Sequence, residues 1–119
     1  MANPFVHVEL HTQDPDRSKK FYTSLFGWEL EDFPGGGYTV IKVGEGTGGG
    51  MMKNPVPGAP DNWIPYILVD DVRAATKKAQ SLGAKVVKEF TEVPDMGWFS
   101  VMMDPSGAAF GIWQTKPGM

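Results

Sequence analysis

The chain opens with a segment in which apolar and polar side chains alternate. In residues 5–12, one side carries Val6, Val8 and Leu10, and the other carries Phe5, His7, Glu9 and His11. This period of two is typical of a half-buried β-strand. Asp14 then provides a helix N-cap, Pro15 suits the first helical position, and Gly27 suits the end of the helix. The pattern therefore predicts a strand followed by a helix over residues 15–26.

The same order of elements is predicted a second time further along the chain. Three short extended segments follow the first helix, at residues 28–32, 38–43 and 48–53. A second strand is predicted at 63–69. A second helix follows, from Asp70 or Asp71 to Gly83, and three more strands are predicted at 85–89, 98–103 and 108–114. Glycine and proline separate most of these segments, as expected of turns. Two βαβββ modules result.

The two predicted modules also match at the residue level. Asp14 and Gly27 each precede an equivalent residue, Asp70 and Gly83, by 56 positions. The offset later grows to 60, as if residues 90–96 carried an insertion. We therefore predict one domain over 1–119, built of module 1 (4–54) and module 2 (62–115). The proline-rich segment 55–61 is predicted to be a stiff linker between them.

Composition narrows the class of protein. A chain of 119 residues with 41% hydrophobic and 21% charged residues is predicted to fold as one domain. The net charge of −3 and the scattered basic residues argue against a nucleic-acid partner. No apolar run is long enough to span a bilayer, so we expect no membrane partner and a cytoplasmic location. The absence of cysteine leaves only histidine and carboxylates as metal ligands.

Several motifs together are similar to those of a known family. They are HVELxTxDPDRxxxFYxxLFGW at 7–28, GGGMMK at 48–53, VDDV at 69–72 and GWFxxxxDPSGxxFG at 97–111. The chain resembles the vicinal oxygen chelate superfamily, which includes glyoxalase I, bleomycin-resistance proteins and extradiol dioxygenases. The resemblance implies an α+β fold in which the two βαβββ modules form a curved sheet around a cleft. It also implies a homodimer and a small-molecule ligand.

Metal-dependent members of the family place one ligand on the first and last strand of each module. His7 matches the first of these positions, and Met51 lies near the second. Trp63 or Ile64 occupies the third and Gly111 the fourth, and none of these can coordinate a metal. We therefore expect no four-ligand metal centre and predict no particular cofactor.

A substitute metal site remains an alternative. His7, Glu9 and His11 share one side of the first strand, with successive Cα atoms roughly 6–7 Å apart. His7 with Glu9 or with His11 could therefore bind one Zn²⁺, Ni²⁺, Fe²⁺ or Mn²⁺ ion, whereas all three would span about 13 Å. A hydrogen-bonded polar pair that lines the cleft is the other interpretation of His7 and Glu9.

The predicted function is the binding of a small organic ligand in the cleft of a glyoxalase-like protein. The expected ligand-binding residues are His7, Glu9, Met51, Tyr66, Trp98 and Trp113. Glu9 is the catalytic candidate, because a carboxylate in an apolar cleft would have a raised pKa and could act as a general base. The alternative is a metal-dependent lyase, similar to lactoylglutathione lyase, or a dioxygenase. Whether the protein is an enzyme is left open at this point.

Overall fold

A computed structural model describes residues 2–55 and 58–117 of the chain. These residues form, in order, β1 (Phe5–Thr12), α1 (Pro15–Phe26), β2 (Glu29–Asp32), β3 (Tyr38–Lys42), β4 (Gly49–Lys53), β5 (Asn62–Leu68), α2 (Val72–Ser81), β6 (Lys85–Val93), β7 (Gly97–Met103) and β8 (Ala109–Thr115). The βαβββ order occurs twice, and the predicted α+β class is confirmed. Within the described ranges, neither helix has the length and apolar character needed to cross a membrane.

The chain divides into two compact units. The amino-terminal unit comprises His7–Ile64, and the carboxy-terminal unit comprises Pro65–Met119 together with Met1–Val6. The segment predicted as a linker ends at Asp61, whose carboxylate accepts a hydrogen bond of 2.9 Å from the backbone N–H of Gln13. Residues 56–57 of that predicted linker lie outside the described residues.

The amino-terminal unit has the strand order β2-β3-β4-β1. Strands β1 and β4 are parallel, whereas β3 runs antiparallel to both β2 and β4. The Asp14 side chain caps α1 by accepting from the N–H of Arg17, and Gly27 ends it with a left-handed φ of 69°. Through Tyr22, α1 packs on a core formed by Leu10, Ile41 and Met51. One face of the sheet is thus covered by α1.

The carboxy-terminal unit repeats this plan with the order β5-β8-β7-β6. Of the two aspartates predicted as caps, Asp71 caps α2 by accepting from the N–H of Ala74. The core that α2 covers is centred on Val72, Met102 and Ile112.

Strand β6 is longer than the sequence indicates. It extends to Val93 instead of ending at 89, and its pairing with β7 is irregular at two places between Val86 and Thr91. Residues 90–96, which the offset between the modules marks as an insertion, therefore lengthen the β-hairpin formed by β6 and β7. Irregular pairing absorbs extra residues while the rest of the ladder keeps its register.

Removal of the Met102 side chain should destabilise the carboxy-terminal unit strongly. Met102 is fully buried, so Met102→Ala should lower the free energy of unfolding by about 2–5 kcal/mol, measured by urea denaturation. The neighbouring Met103 is 38% exposed, and Met103→Ala is the matched control, with an expected loss below about 1 kcal/mol. Equal losses in the two variants would contradict this assignment of the core.

Candidate functional site

Strand β1 presents different chemistry on its two faces. Leu10 packs in the core under α1, and alternation places His7, Glu9 and His11 on the opposite face of the sheet. Glu9 and His11 are buried, with 8% and 6% exposure, whereas the His7 side chain is 32% exposed. The predicted grouping of these three polar residues on one face is therefore present in the structure.

The polar residues of β1 are joined by a tyrosine from β3. The Tyr38 hydroxyl donates to Glu9 Oε2 at 3.0 Å and lies 2.8 Å from His7 Nε2. The His7 tautomer decides which of His7 Nε2 and the Tyr38 hydroxyl donates to the other. His11 Nε2 is 2.7 Å from Glu9 Oε1. We call this set, His7, Tyr38, Glu9 and His11, the polar chain.

A glycine in β4 makes room for the tyrosine. Gly50 lies opposite Glu9 in the parallel β1–β4 ladder and opposite Val40 in the β3–β4 ladder. A Cβ atom on Gly50 would overlap the hydroxyl and ring of Tyr38. Tyr38 can therefore reach Glu9 only because residue 50 has no side chain.

The polar chain sets the ionisation of its carboxylate. Burial acts to raise the pKa of Glu9, but hydrogen bonds and charge interactions with His11 and His7 outweigh it and lower the pKa to about 2. The predicted raised pKa is therefore wrong, because the carboxylate has polar partners in place of an apolar wall. Burial, together with the charge and hydrogen bond of Glu9, raises the pKa of the Tyr38 hydroxyl.

The lowered pKa of Glu9 and the raised pKa of Tyr38 define what the site can do chemically. A carboxylate with so low a pKa is a weak base, and Tyr38 stays a neutral donor. The pair instead fixes the orientation of the Tyr38 hydroxyl and, through it, of the His7 ring. The partly exposed His7 is then the member of the polar chain best placed to meet a molecule from solvent.

The polar chain does not fit the four-ligand metal centre of the family. His7 Nε2 and Glu9 Oε2 are 3.7 Å apart, but both are bonded to the hydroxyl of Tyr38. Across the described ranges, no group of three His, Cys, Asp or Glu side chains has a metal-binding arrangement. Of the residues expected at the family's ligand positions, His7 belongs to the polar chain and Met51 to the core under α1.

The other predicted ligand-binding residues lie in different surroundings. Met51 is 1% exposed and belongs to the core under α1, so its side chain faces away from the polar chain. Trp98 stacks on Phe90, with ring centroids 6.1 Å apart, against the core that α2 covers. The indole of Trp113 donates to the Thr115 hydroxyl at 3.1 Å and is partly buried.

Tyr66 is buried and lies edge-on to Phe99. It pairs with Gly111 in the β5–β8 ladder, and a Cβ on Gly111 would overlap its ring. Tyr66 is therefore placed on the face of its sheet opposite α2, as the prediction requires of a residue lining a cleft.

Sequence reasoning missed Tyr38. The residue falls in a predicted strand, but nothing in the spacing shows which face it occupies. The available signal was Gly50, because a glycine inside a strand indicates close approach by another group.

A cavity of about 260 Å³ opens on the α1 side of the amino-terminal unit. It is lined by Val8, Trp28, Ile41, Val43, Thr47, Gly48, Gly49 and Trp63. Because these residues are mostly apolar and none belongs to the polar chain, the cavity is separate from the candidate site.

The βαβββ order, present twice, is similar to that of a Mn(II)-bound glyoxalase from Novosphingobium aromaticivorans, with a TM-score of 0.65, 18% identity, and coverage of 92% of this chain and 38% of the other. The family described as "Bleomycin resistance protein-like N-terminal" matches residues 4–44. The fold is similar to that of methylmalonyl-CoA epimerase from Mycobacterium tuberculosis, with a TM-score of 0.65, 16% identity, and coverage of 95% of this chain and 88% of the other. The family match at residues 4–44 and the likeness in fold support the predicted resemblance to the vicinal oxygen chelate superfamily.

Two curated relatives extend the likeness. The chain is 38% identical over 112 residues to "Putative glyoxylase CFP32" of M. tuberculosis, covering 92% of this chain and 43% of the relative. It is 29% identical over 123 residues to "Anthracycline biosynthesis protein DnrV" of Streptomyces peucetius, covering 89% of this chain and 45% of the relative. The chain thus spans less than half the length of these two relatives.

A methyl group on Gly50 should break the polar chain. Gly50→Ala should displace Tyr38 and lower the free energy of unfolding by about 1–3 kcal/mol, because the added carbon has no space. In Gly50→Ala/Tyr38→Ala the overlap disappears, so the double variant should lose less than the sum of the two single variants. Additive losses, measured by urea denaturation, would show that residue 50 does not act through Tyr38.

The low pKa of Glu9 predicts loss of stability in acid. Its pKa is about 2 when folded and near 4.5 when unfolded, so its contribution is complete above pH 4.5 and lost as pH falls toward 2. The wild type should lose about 3 kcal/mol more than Glu9→Gln over this range in urea denaturation. Glu45→Gln, which changes an exposed carboxylate, should behave as the wild type does.

Proposed function

We propose that the protein binds a small organic molecule at the open face of the amino-terminal unit, without a four-ligand metal centre. The observation that carries the proposal is the polar chain, in which a partly exposed His7 is linked through Tyr38 to buried, ionised Glu9. Buried polar groups that are already paired cost no further reorganisation when a ligand arrives. His7 would therefore act as an oriented polar contact.

The charge of the polar chain favours one kind of ligand. Glu9 is an anion with 8% exposure, and its field is weakly screened by water. A ligand that brings a hydrogen-bond donor or a cationic group close to His7 would be favoured over an anionic one. The names of the relatives, a putative glyoxylase and an anthracycline biosynthesis protein, are consistent with a small organic molecule and provide the first probes.

The aromatic residues of the carboxy-terminal unit are proposed as a separate ligand-contact surface within that unit. Tyr66 and Phe99 form an edge-to-face pair, and Trp113 is partly exposed. Rings in this arrangement are suited to contact with a flat apolar molecule. We keep Tyr66 and Trp113 as proposed ligand contacts, whereas Met51 and Trp98 have core positions that do not support such a role.

Two enzymatic alternatives make different demands. A divalent-metal lyase or dioxygenase that uses His7 with Glu9 or His11 is supported only by the short separations within the polar chain, and it would require Tyr38 to move. An acid–base enzyme with Glu9 as the base conflicts with the low pKa of Glu9. Ligand binding requires neither a movement of Tyr38 nor a higher pKa of Glu9, and we therefore prefer it. We further propose that the protein acts as a homodimer.

Metal content and ligand titration together test the proposal. Protein purified under mild conditions should contain less than about 0.1 metal ion per chain, and titration with Zn²⁺, Ni²⁺, Fe²⁺ or Mn²⁺ should show no site that His7→Ala removes. Titration of the metal-free protein with an anthracycline, followed by ligand fluorescence, should saturate, and His7→Ala and Tyr38→Phe should weaken binding about tenfold.

Lys42→Ala is the matched control in these titrations. Lys42 is exposed on β3, the strand that carries Tyr38, and its ammonium pairs with Glu31 outside the polar chain. This variant should bind as the wild type does. One metal ion per chain, lost in His7→Ala, would overturn the metal-free proposal and favour lyase or dioxygenase chemistry. Equal weakening by Lys42→Ala and His7→Ala would argue against a site at the polar chain.

A further inference from the structure

A second cavity of the amino-terminal unit, of about 200 Å³, lies where α1 meets the end of β1 and the start of β5. Its lining includes Thr12, Ser18, Tyr22, Asp61, Asn62 and Trp63. Thr12 follows the core residue Leu10 by two positions on β1, so the cavity is on the α1 side of the sheet, away from the polar chain. Of the described side chains that line it, only Asp61 is charged. We call this space the Asp61 cavity.

Hydrogen bonds hold the Asp61 carboxylate in place without neutralising it. Its Oδ1 accepts from the backbone N–H of Gln13 at 2.9 Å, and its Oδ2 accepts from the Thr12 hydroxyl at 3.3 Å. Within residues 2–55 and 58–117, every ion pair of a lysine or histidine is made with another carboxylate. Asp61 therefore gives the cavity a negative charge that no described cation balances.

The wall next to Asp61 is aromatic. Trp63 meets Tyr22 edge to face, with ring centroids 5.4 Å apart, and its indole N–H donates to the Tyr22 hydroxyl at 3.3 Å. These contacts orient the indole, while 36% of Trp63 stays exposed. Among aromatic side chains, tryptophan attracts a cation most strongly. A carboxylate and an indole in one cavity thus favour the same kind of ligand, a cation with apolar surface.

The fold of a βαβββ module does not require this polar lining. Counted from the first residue of each helix, Ser18 in α1 has the position of Ala75 in α2. Tyr22 corresponds in the same way to Ala79. Both alanines pack on the core of the carboxy-terminal unit. One helix therefore meets its sheet with methyl groups, whereas the other brings two hydroxyl groups to a cavity that holds a carboxylate.

We propose that the Asp61 cavity binds a small quaternary ammonium ion. The carboxylate favours a cation, and the aromatic wall favours one whose charge is covered by methyl groups. Across the described ranges, Asp61 belongs to no group of three His, Cys, Asp or Glu side chains suited to a metal ion. Because one water occupies about 30 Å³ in the liquid, the cavity has room for roughly seven non-hydrogen atoms. This site is separate from the one proposed at the polar chain and does not depend on it.

Titration with choline, followed by heteronuclear NMR at constant ionic strength, tests the proposal. Choline should shift the indole N–H signal of Trp63 saturably, with a dissociation constant on the order of 1 mM, and should leave the signal of Trp98 in place. The Trp63 signal is identified by its absence from Trp63→Phe. The uncharged tert-butyl analogue of choline should bind about fivefold or more weakly, because it has the same shape without the charge.

Asp61→Asn isolates the charge of the cavity. The amide oxygen can still accept from the Gln13 N–H, so circular dichroism should show an unchanged fold, while the affinity for choline should fall about fivefold or more. Asp16→Asn is the matched control, because it removes the same charge at an exposed position of α1 outside the cavity. This variant and His7→Ala should both bind choline as the wild type does.

Three results would overturn the proposal. The first is equal affinity of Asp61→Asn and the wild type for choline, and the second is equal binding of choline and its tert-butyl analogue. The third is a Trp63 signal that shows no saturable shift. Loss of choline binding in His7→Ala, with binding retained in Asp61→Asn, would place the ammonium ion at the polar chain and would be a case of the first result.

Discussion

The hydrogen bond between the Tyr38 hydroxyl and Glu9 is the interaction on which the candidate site depends. A carboxylate on a buried strand position is costly unless its oxygens are bonded. Tyr38 and His11 each bond one of its oxygens, and interactions with His11 and His7 outweigh the effect of burial and lower the pKa of Glu9. The missing side chain at Gly50 makes this arrangement possible. One buried anion thus constrains residues on three strands, β1, β3 and β4.

The two halves of the repeat use the same backbone plan for different chemistry. In each unit, a glycine in the last strand lies under an aromatic ring: Gly50 under Tyr38, and Gly111 under Tyr66. The partner of Gly50 in the first strand is Glu9, whereas the partner of Gly111 is Tyr66 itself. One sheet face therefore has a buried anion, and the equivalent face in the other unit has aromatic rings. A repeat can diverge in this way because only the core under the helix must stay apolar in both units.

The fold was largely predictable from the sequence because its signals are local. Asp14, Pro15 and Gly27 mark the ends of α1 by the hydrogen bonds and backbone angles they favour, and alternation marks the faces of β1. The pKa of Glu9 and the place of Met51 were not predictable, because both depend on which strands become neighbours. The strand pairing makes Gly50, and not Met51, the equivalent of Gly111. This difference of one position places the Met51 side chain in the core instead of on the polar face. The pairing register decides this, and one sequence does not reveal it.

His7 shows how a family position can keep its residue and change its role. The resemblance to the vicinal oxygen chelate superfamily implies that its metal-dependent members have a metal ligand at this point of the first strand. Here His7 Nε2 lies 2.8 Å from the Tyr38 hydroxyl. A metal at that nitrogen would have to displace the Tyr38 hydroxyl from it. The hydrogen bond to Tyr38 and a metal would therefore compete for the same atom, Nε2 of His7.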